Sequence, residues 1–223
     1  MSRQSYNKSK SSVGENSIYV FIDASNVWNV VKSKRKFIEY SRLRNYFKEK
    51  FNAKEVEIFY YDAYPKEGTR DYDLNGKHRF YTYLKKGLGF IVREKELKRI
   101  SIITKDGESI IEKGNMDVEM TIDALHYIAK YNIAVLFSGD SDFLALVSYL
   151  RNRGKKVYIF SSKGSISEEL KTGGDKYFDL RNIDEIWGKD LQHRIDKNKA
   201  TLSQEGSPRM YNPYSSMEDM EEL

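Results

Sequence analysis

The chain has 223 residues, enough for one domain with a substantial core. Its 38 basic and 33 acidic side chains leave a net charge of +5 and a pI near 9.0, which permits a polyanionic partner without demanding one. The absence of cysteine excludes disulfides, thiolate catalysis and cysteine-bound zinc, and a mean hydropathy of -0.68 with apolar runs no longer than a strand argues against a membrane-spanning helix.

Residues 1–16 are rich in Ser, Asn and Lys, without apolar periodicity and without the apolar stretch of a signal peptide; they read as a flexible polar arm. With no cysteine to oxidise, a reducing cytoplasm is the compatible compartment. Ile18–Ile22 is a continuous apolar run that stops at Asp23, and Val56–Tyr61 is a second that stops at Asp62. Helical periodicity follows in Ser41–Phe51 and His78–Lys86. Between Phe90 and Ile111 two apolar-containing segments flank Asp106-Gly107, a strong hairpin signal. A helix is expected over Val118–Tyr131, a strand over Ile133–Phe137, and a helix over Phe143–Asn152. Val157–Phe160 reads as another strand, and Ser165–Lys171 as a helix opened by a capping box from Ser165 to Glu168. Residues 17–188 form the expected domain, and 189–223 a polar tail with an acidic end. Short unalternating runs separated by helices imply an α/β sandwich around a mostly parallel sheet, whose ligands gather beyond the carboxyl ends of the strands.

Carboxylates dominate that edge. FSGDSDF, residues 137–143, follows a strand directly and carries Asp140 and Asp142. Asp23 ends the first strand, where it either turns the chain through Ser25 or Asn26 or ligates a cation. Ser141 or Asp142 can cap the next helix, whereas Asp140 has the weakest structural explanation. On a helical wheel Asp117 falls within an apolar arc of Val118, Met120, Ile122, Ala124 and Leu125, so it points at the sheet, where it serves either as an N-cap or first-turn acid on the helix dipole or as a ligand. Glu119 and Asp123 then fall on the opposite face, toward water. Acids gathered at one edge repel one another unless a cation neutralises them, and oxygen-only ligands suit Mg2+ or Mn2+. The three histidines, His78, His126 and His193, share no metal-binding spacing. Metal-dependent phosphoester hydrolysis is the reaction class that follows.

Three ordered blocks, FIDASNVW from Phe21, EKGNMDVEMTIDAL from Glu112 and LFSGDSDFLALVSYLRNRGKKVYIF from Leu136, resemble the LabA-like branch of the NYN family of PIN-like domains. The segment Lys113–Asp117 holds one residue more than the family's K-G-x-D-V spacing. The resemblance implies a PIN-like three-layer sandwich and a Mg2+- or Mn2+-dependent ribonuclease. Its metal ligands and catalytic acids would be Asp23, Asp117, Asp140 and Asp142. Asn26 would orient Asp23 or touch the scissile phosphate, and Ser138 would hold the backbone or a phosphate.

For the nucleic acid, RNA first and DNA as the other choice, the basic cluster Lys32, Lys34, Arg35 and Lys36 follows closely on Asp23, and Lys113 approaches Asp117. Trp28 is the best candidate to stack a base. The rival readings are a nucleic-acid-binding or assembly module without turnover, its metal site idle or structural, and a haloacid-dehalogenase-type phosphatase. The phosphatase is disfavoured by Ser25 where that class requires a second Asp. Self-association is left open.

Overall fold

The computed structural model describes residues 16–69, 74–104 and 107–191. The expected arm and tail therefore lie outside the described residues except at their inner ends. There β1 begins at Asn16 and the last strand runs to Asp190.

Six strands form the central sheet: β1 (Asn16–Asp23), β3 (Ala53–Tyr64), β4 (Ile91–Glu96), β7 (Ile133–Phe137), β8 (Lys156–Ser161) and β9 (Lys176–Asp179). Their order is β4-β3-β1-β7-β8-β9, and every neighbouring pair is parallel. Both faces are covered, which is why the strands read as unbroken apolar runs. Ile18, Val20 and Ile22 face α1 (Ala24–Lys34), α2 (Tyr40–Phe51) and α3 (Asn75–Thr82). Tyr19 and Phe21 face α4 (Asp117–His126), α5 (Leu144–Asn152) and α6 (Glu168–Gly173). The architecture is the expected α/β sandwich of three layers.

Two small antiparallel pairs lie outside the main sheet. One joins β2 (Lys36–Ile38) to β10 (Trp187–Asp190), and the other is the expected hairpin of β5 (Lys98–Thr104) and β6 (Gly107–Lys113), whose Asp106 lies outside the described residues.

Three local expectations are corrected. The helix α1 is absent from the periodicity reading, yet Asp23 caps it and Val27, Val30 and Val31 anchor it in the core. The cap of α6 is Ser167, whose Oγ accepts from the Leu170 N–H at 3.2 Å; Ser165 lies earlier in the loop. The wheel placed on α4 is rotated. Val118 and Ile122 are 64% and 59% exposed, whereas Asp123 is only 7% exposed. The helix meets the sheet through Met120 and Ala124, and Asp123 is admitted because it is fully paired there.

Among the described residues, no helix is long and apolar enough to cross a membrane.

Candidate functional site

The strand order reverses at β1: its sequel β3 lies on one side and β7 on the other. Crevices at such switch points, beyond the carboxyl ends of the strands, are where open α/β sheets bind ligands. Asp23 ends β1 at that point, and Ser138, Gly139 and Asp140 follow the end of β7.

Asp23 is held from several directions. Its Oδ1 accepts from the Ser25 and Asn26 N–H groups at 3.0 and 3.4 Å and from the Ser25 hydroxyl at 2.8 Å. Its Oδ2 accepts from the buried Ser138 hydroxyl at 3.3 Å, and that same Oγ accepts from the Asp140 N–H at 3.2 Å. Ser138 thus ties the ends of β1 and β7 together. Burial raises the Asp23 pKa, against the pull of the hydrogen bonds from Ser25, Asn26 and Ser138.

Asp140 itself caps the 3-10 turn Ser141–Phe143, accepting from the Asp142 N–H at 3.0 Å; the expectation that Ser141 or Asp142 would cap this stretch is corrected. The turn leaves Asp140 and Asp142 exposed. Asp117 opens α4 half-buried and accepts from Asn115 Nδ2 at 2.6 Å. One carboxylate oxygen from each of Asp117, Asp140 and Asp142 lies within 4.8 Å of the others. Burial raises the Asp117 pKa, with further upward pushes from Asp140, Asp23 and Asp142.

Two glycines allow this convergence. A Cβ on Gly139 would lie 1.8 Å from the Ser165 carbonyl oxygen, so the β8–α6 loop closes directly over the backbone between Ser138 and Asp140. A Cβ on Gly114 would lie 2.5 Å from Leu97 Cδ2 and 3.1 Å from Ala63 Cβ, so the chain entering α4 passes tightly over the ends of β3 and β4.

The residues considered for substrate binding are dispersed. Asn26 is at the start of α1, where the Ser161 hydroxyl meets its Oδ1 at 3.2 Å. Lys113 is exposed at the end of β6, four residues before Asp117. Trp28 is half-buried and packs on the core. Lys32, Lys34 and Arg35 do not stay near Asp23, because α1 carries them away. Its 11 residues span about 16 Å at 1.5 Å per residue. Lys34 Nζ bonds the Arg181 carbonyl at 2.7 Å and approaches Asp184 at 3.5 Å, while Arg35 is the left-handed C-cap at φ 58°. Lys36 pairs with Asp190 at 3.7 Å. Lys163, exposed in the loop over Gly139, was not singled out by the sequence; its Ser-Ser-Lys-Gly context after a strand was the available signal.

The raised pKa of Asp117 predicts a pH dependence. An aspartate whose folded pKa lies above its unfolded value near 3.9 takes up its proton first in the folded state, so metal-free stability increases as pH falls from neutrality toward the ordinary carboxylate range. In chelator, Asp117→Asn is expected to melt a few degrees above the parent chain at neutral pH, with the gap narrowing as pH falls and closing only below the unfolded carboxylate value near 3.9. A gap that does not change with pH contradicts this account of the cluster.

Comparison with known proteins bears on the family and the fold. Residues 17–181 match the family model described as the NYN domain. The chain is 29% identical over 168 residues to the low amplitude and bright protein LabA of Synechococcus elongatus, covering 74% of this chain and 83% of that protein. It is 31% identical over 77 residues to the uncharacterized protein MJ0482 of Methanocaldococcus jannaschii, covering 34% and 32% of the two. In fold it is similar to the crystal structure of a protein of unknown function, VPA0982 from Vibrio parahaemolyticus. That match has a TM-score of 0.57 at 24% identity and covers 80% of this chain and all of the other. With the family model spanning most of the described fold, the chain belongs to the NYN domain family.

Proposed function

We propose that this protein is a metal-dependent ribonuclease that hydrolyses phosphodiester bonds in single-stranded RNA, with Asp23, Asp117, Asp140 and Asp142 as its catalytic and metal-binding acids. The observation that carries the reading is the convergence of Asp117, Asp140 and Asp142 oxygens within 4.8 Å, beside buried Asp23. The donor set fits Mg2+ or Mn2+: every candidate ligand is a hard oxygen, and the pKa values of Asp23 and Asp117 are raised, as expected of acids awaiting a neutralising charge. When bound, such a cation supplies charge neutralisation and polarises a phosphate oxygen.

The chain's own residues supply the rest. Ser25, Asn26 and Ser138 hold the Asp23 carboxylate in one orientation, and Asp140 fixes the backbone that presents Asp142. Asn26, Ser138 and Lys113 are the proposed contacts to the phosphate at the site. Trp28, Lys32, Lys34 and Arg35 would engage only nucleic acid that continues along α1. A reducing, cytoplasmic setting suits a chain without cysteine.

A second reading, an assembly module without turnover, is favoured by the outward Val118 and Ile122 of α4 and Ile103 and Ile110 of the hairpin, all more than half exposed. A labelled single-stranded RNA separates the two. The nuclease reading expects cleavage with Mn2+, loss of it in EDTA, and slower cleavage of duplex RNA or of DNA. RNA retention or self-association with no cleavage under any divalent cation would establish the second reading instead.

A further inference from the structure

The parallel register aligns three residues in one row across the sheet: Asp23 on β1, Tyr61 on β3 and Arg93 on β4. Laterally paired residues in a sheet share a face, and here α4 covers that face. The helix is fastened to the same row. Asp123 Oδ2 accepts from the Tyr61 hydroxyl at 3.0 Å and from Arg93 Nε at 2.9 Å, while its Oδ1 accepts from Arg93 Nη2 at 3.0 Å. A second rung joins Lys95 Nζ to Glu119 Oε1 at 2.6 Å, and a third seats Gly114 against Leu97.

The spacings match. Residues two apart on a strand advance about 6.7 Å on one face, and residues four apart on a helix about 6 Å. Arg93 and Lys95 therefore meet Asp123 and Glu119 in step, with α4 running back against the direction of β4. Apolar packing alone would define this position weakly, because α4 buries only Met120 and Ala124 beside Asp123 while Val118 and Ile122 face outward.

We propose that Arg93 and Asp123 are positioning residues. Their two-point pair, seated in the row that ends at Asp23, fixes the height of α4 on the sheet and so brings Asp117 to Asp140 and Asp142. Asp123 is thereby a helix clamp and not a ligand. Asp123 is buried but the Arg93 side chain is 44% exposed, so the pair is weak evidence for stability, and the best-attested use of an ion pair at such a contact is to specify one register among several. A planar guanidinium paired at two points does this where a lysine cannot. The inference rests on the cation-binding reading only for its consequence, not for its geometry.

The test uses both. Since the chain has no cysteine, spin labels can be attached at Val118→Cys on α4 and Ala145→Cys on α5, both exposed, in an otherwise unaltered background. In metal-free protein, Arg93→Lys and the double variant Arg93→Met/Asp123→Leu are expected to shift or broaden the distance distribution between the labels. Direct Mn2+ titration followed by electron paramagnetic resonance should show affinity reduced about 10-fold in Arg93→Lys and up to about 100-fold in the double variant, a scale set by the roughly 10- to 100-fold cost of losing a hydrogen-bond partner of a metal ligand. Both are measured well below the melting transition, where a purely stabilising pair would alter neither. If the double variant does not fold, Arg93→Lys decides. An unchanged label distance in folded Arg93→Lys overturns the clamp. If the distance shifts but the parent chain binds no Mn2+, the clamp stands and the cation reading fails.

Discussion

Asp140→Asn should abolish Mn2+-dependent RNA cleavage while leaving the fold intact. The carboxylate does two separable things. Its Oδ1 caps the 3-10 turn by accepting from the Asp142 N–H, and its charge contributes to a cluster shared with Asp117 and Asp142. Asparagine preserves the first, because its side-chain oxygen is as good a cap as that of aspartate. It removes the second. The loss of one charged ligand from a cation that stabilises developing phosphate charge is expected to exceed about 2.7 kcal/mol, a hundredfold in rate. Relief of the push on Asp117 means that melting without metal should stay level or rise slightly. With Mn2+, the parent chain should gain stability in proportion to the cation bound, and the variant much less. Parent-level cleavage in Asp140→Asn would rule out a catalytic role for this acid. A variant that lost activity by unfolding would reveal itself in the same melting experiment, and Asp23→Asn and Asp117→Asn would then carry the comparison.

How much of this site the sequence discloses depends on what kind of signal each residue leaves. Asp23 and Asp140 are legible because unbroken apolar runs stop at or just before them, and a strand buried on both faces must end at an edge of the sheet. Asp117 is legible through its motif and its place at the start of a helix. The helix α1 is only faintly legible: Val27, Val30 and Val31 keep the i, i+3, i+4 spacing with Asn29 and Ser33 on the exposed side, but three β-branched valines are weak helix formers and mask the signal. Missing it turned nearness in sequence into apparent nearness in space for Lys32, Lys34 and Arg35. Asp123 misled for a related reason. A wheel ranks positions by polarity, so it sends a charged residue to water unless its partner is known. That partner, Arg93, is 30 residues away and meets it only through the register of β4 against β3. The outward Val118 and Ile122 are the same error seen from the other side of the helix.

Gly139→Ala should be the most damaging single-methyl change near the site. The added Cβ would stand 1.8 Å from the Ser165 carbonyl oxygen, 2.6 Å from its carbon and 2.8 Å from Ile166 Cα, all backbone atoms that cannot rotate aside. The segment Ser138–Asp140 is equally constrained, because the Gly139 carbonyl accepts from the Ser167 N–H at 2.9 Å and Ser138 is bonded to Asp23. Overpacking of this kind typically costs about 1–3 kcal/mol, and a backbone-on-backbone clash belongs at the top of that range. For a domain of this size, about 3 kcal/mol lowers the melting temperature by roughly 6–12 °C. Whichever segment yields, Asp140 moves relative to Asp23 and Asp117. Displacement of a reacting group by about 1 Å is enough for a hundredfold loss of rate, so cleavage should fall even at temperatures where the variant is folded. Gly164→Ala, in the same loop, is the control: a Cβ there meets nothing within 4 Å, and its effect on both measurements should be small. If Gly139→Ala melts and cleaves like Gly164→Ala, the loop is free to lift away from the site, and the tight closure over Gly139 has no part in holding the acids together.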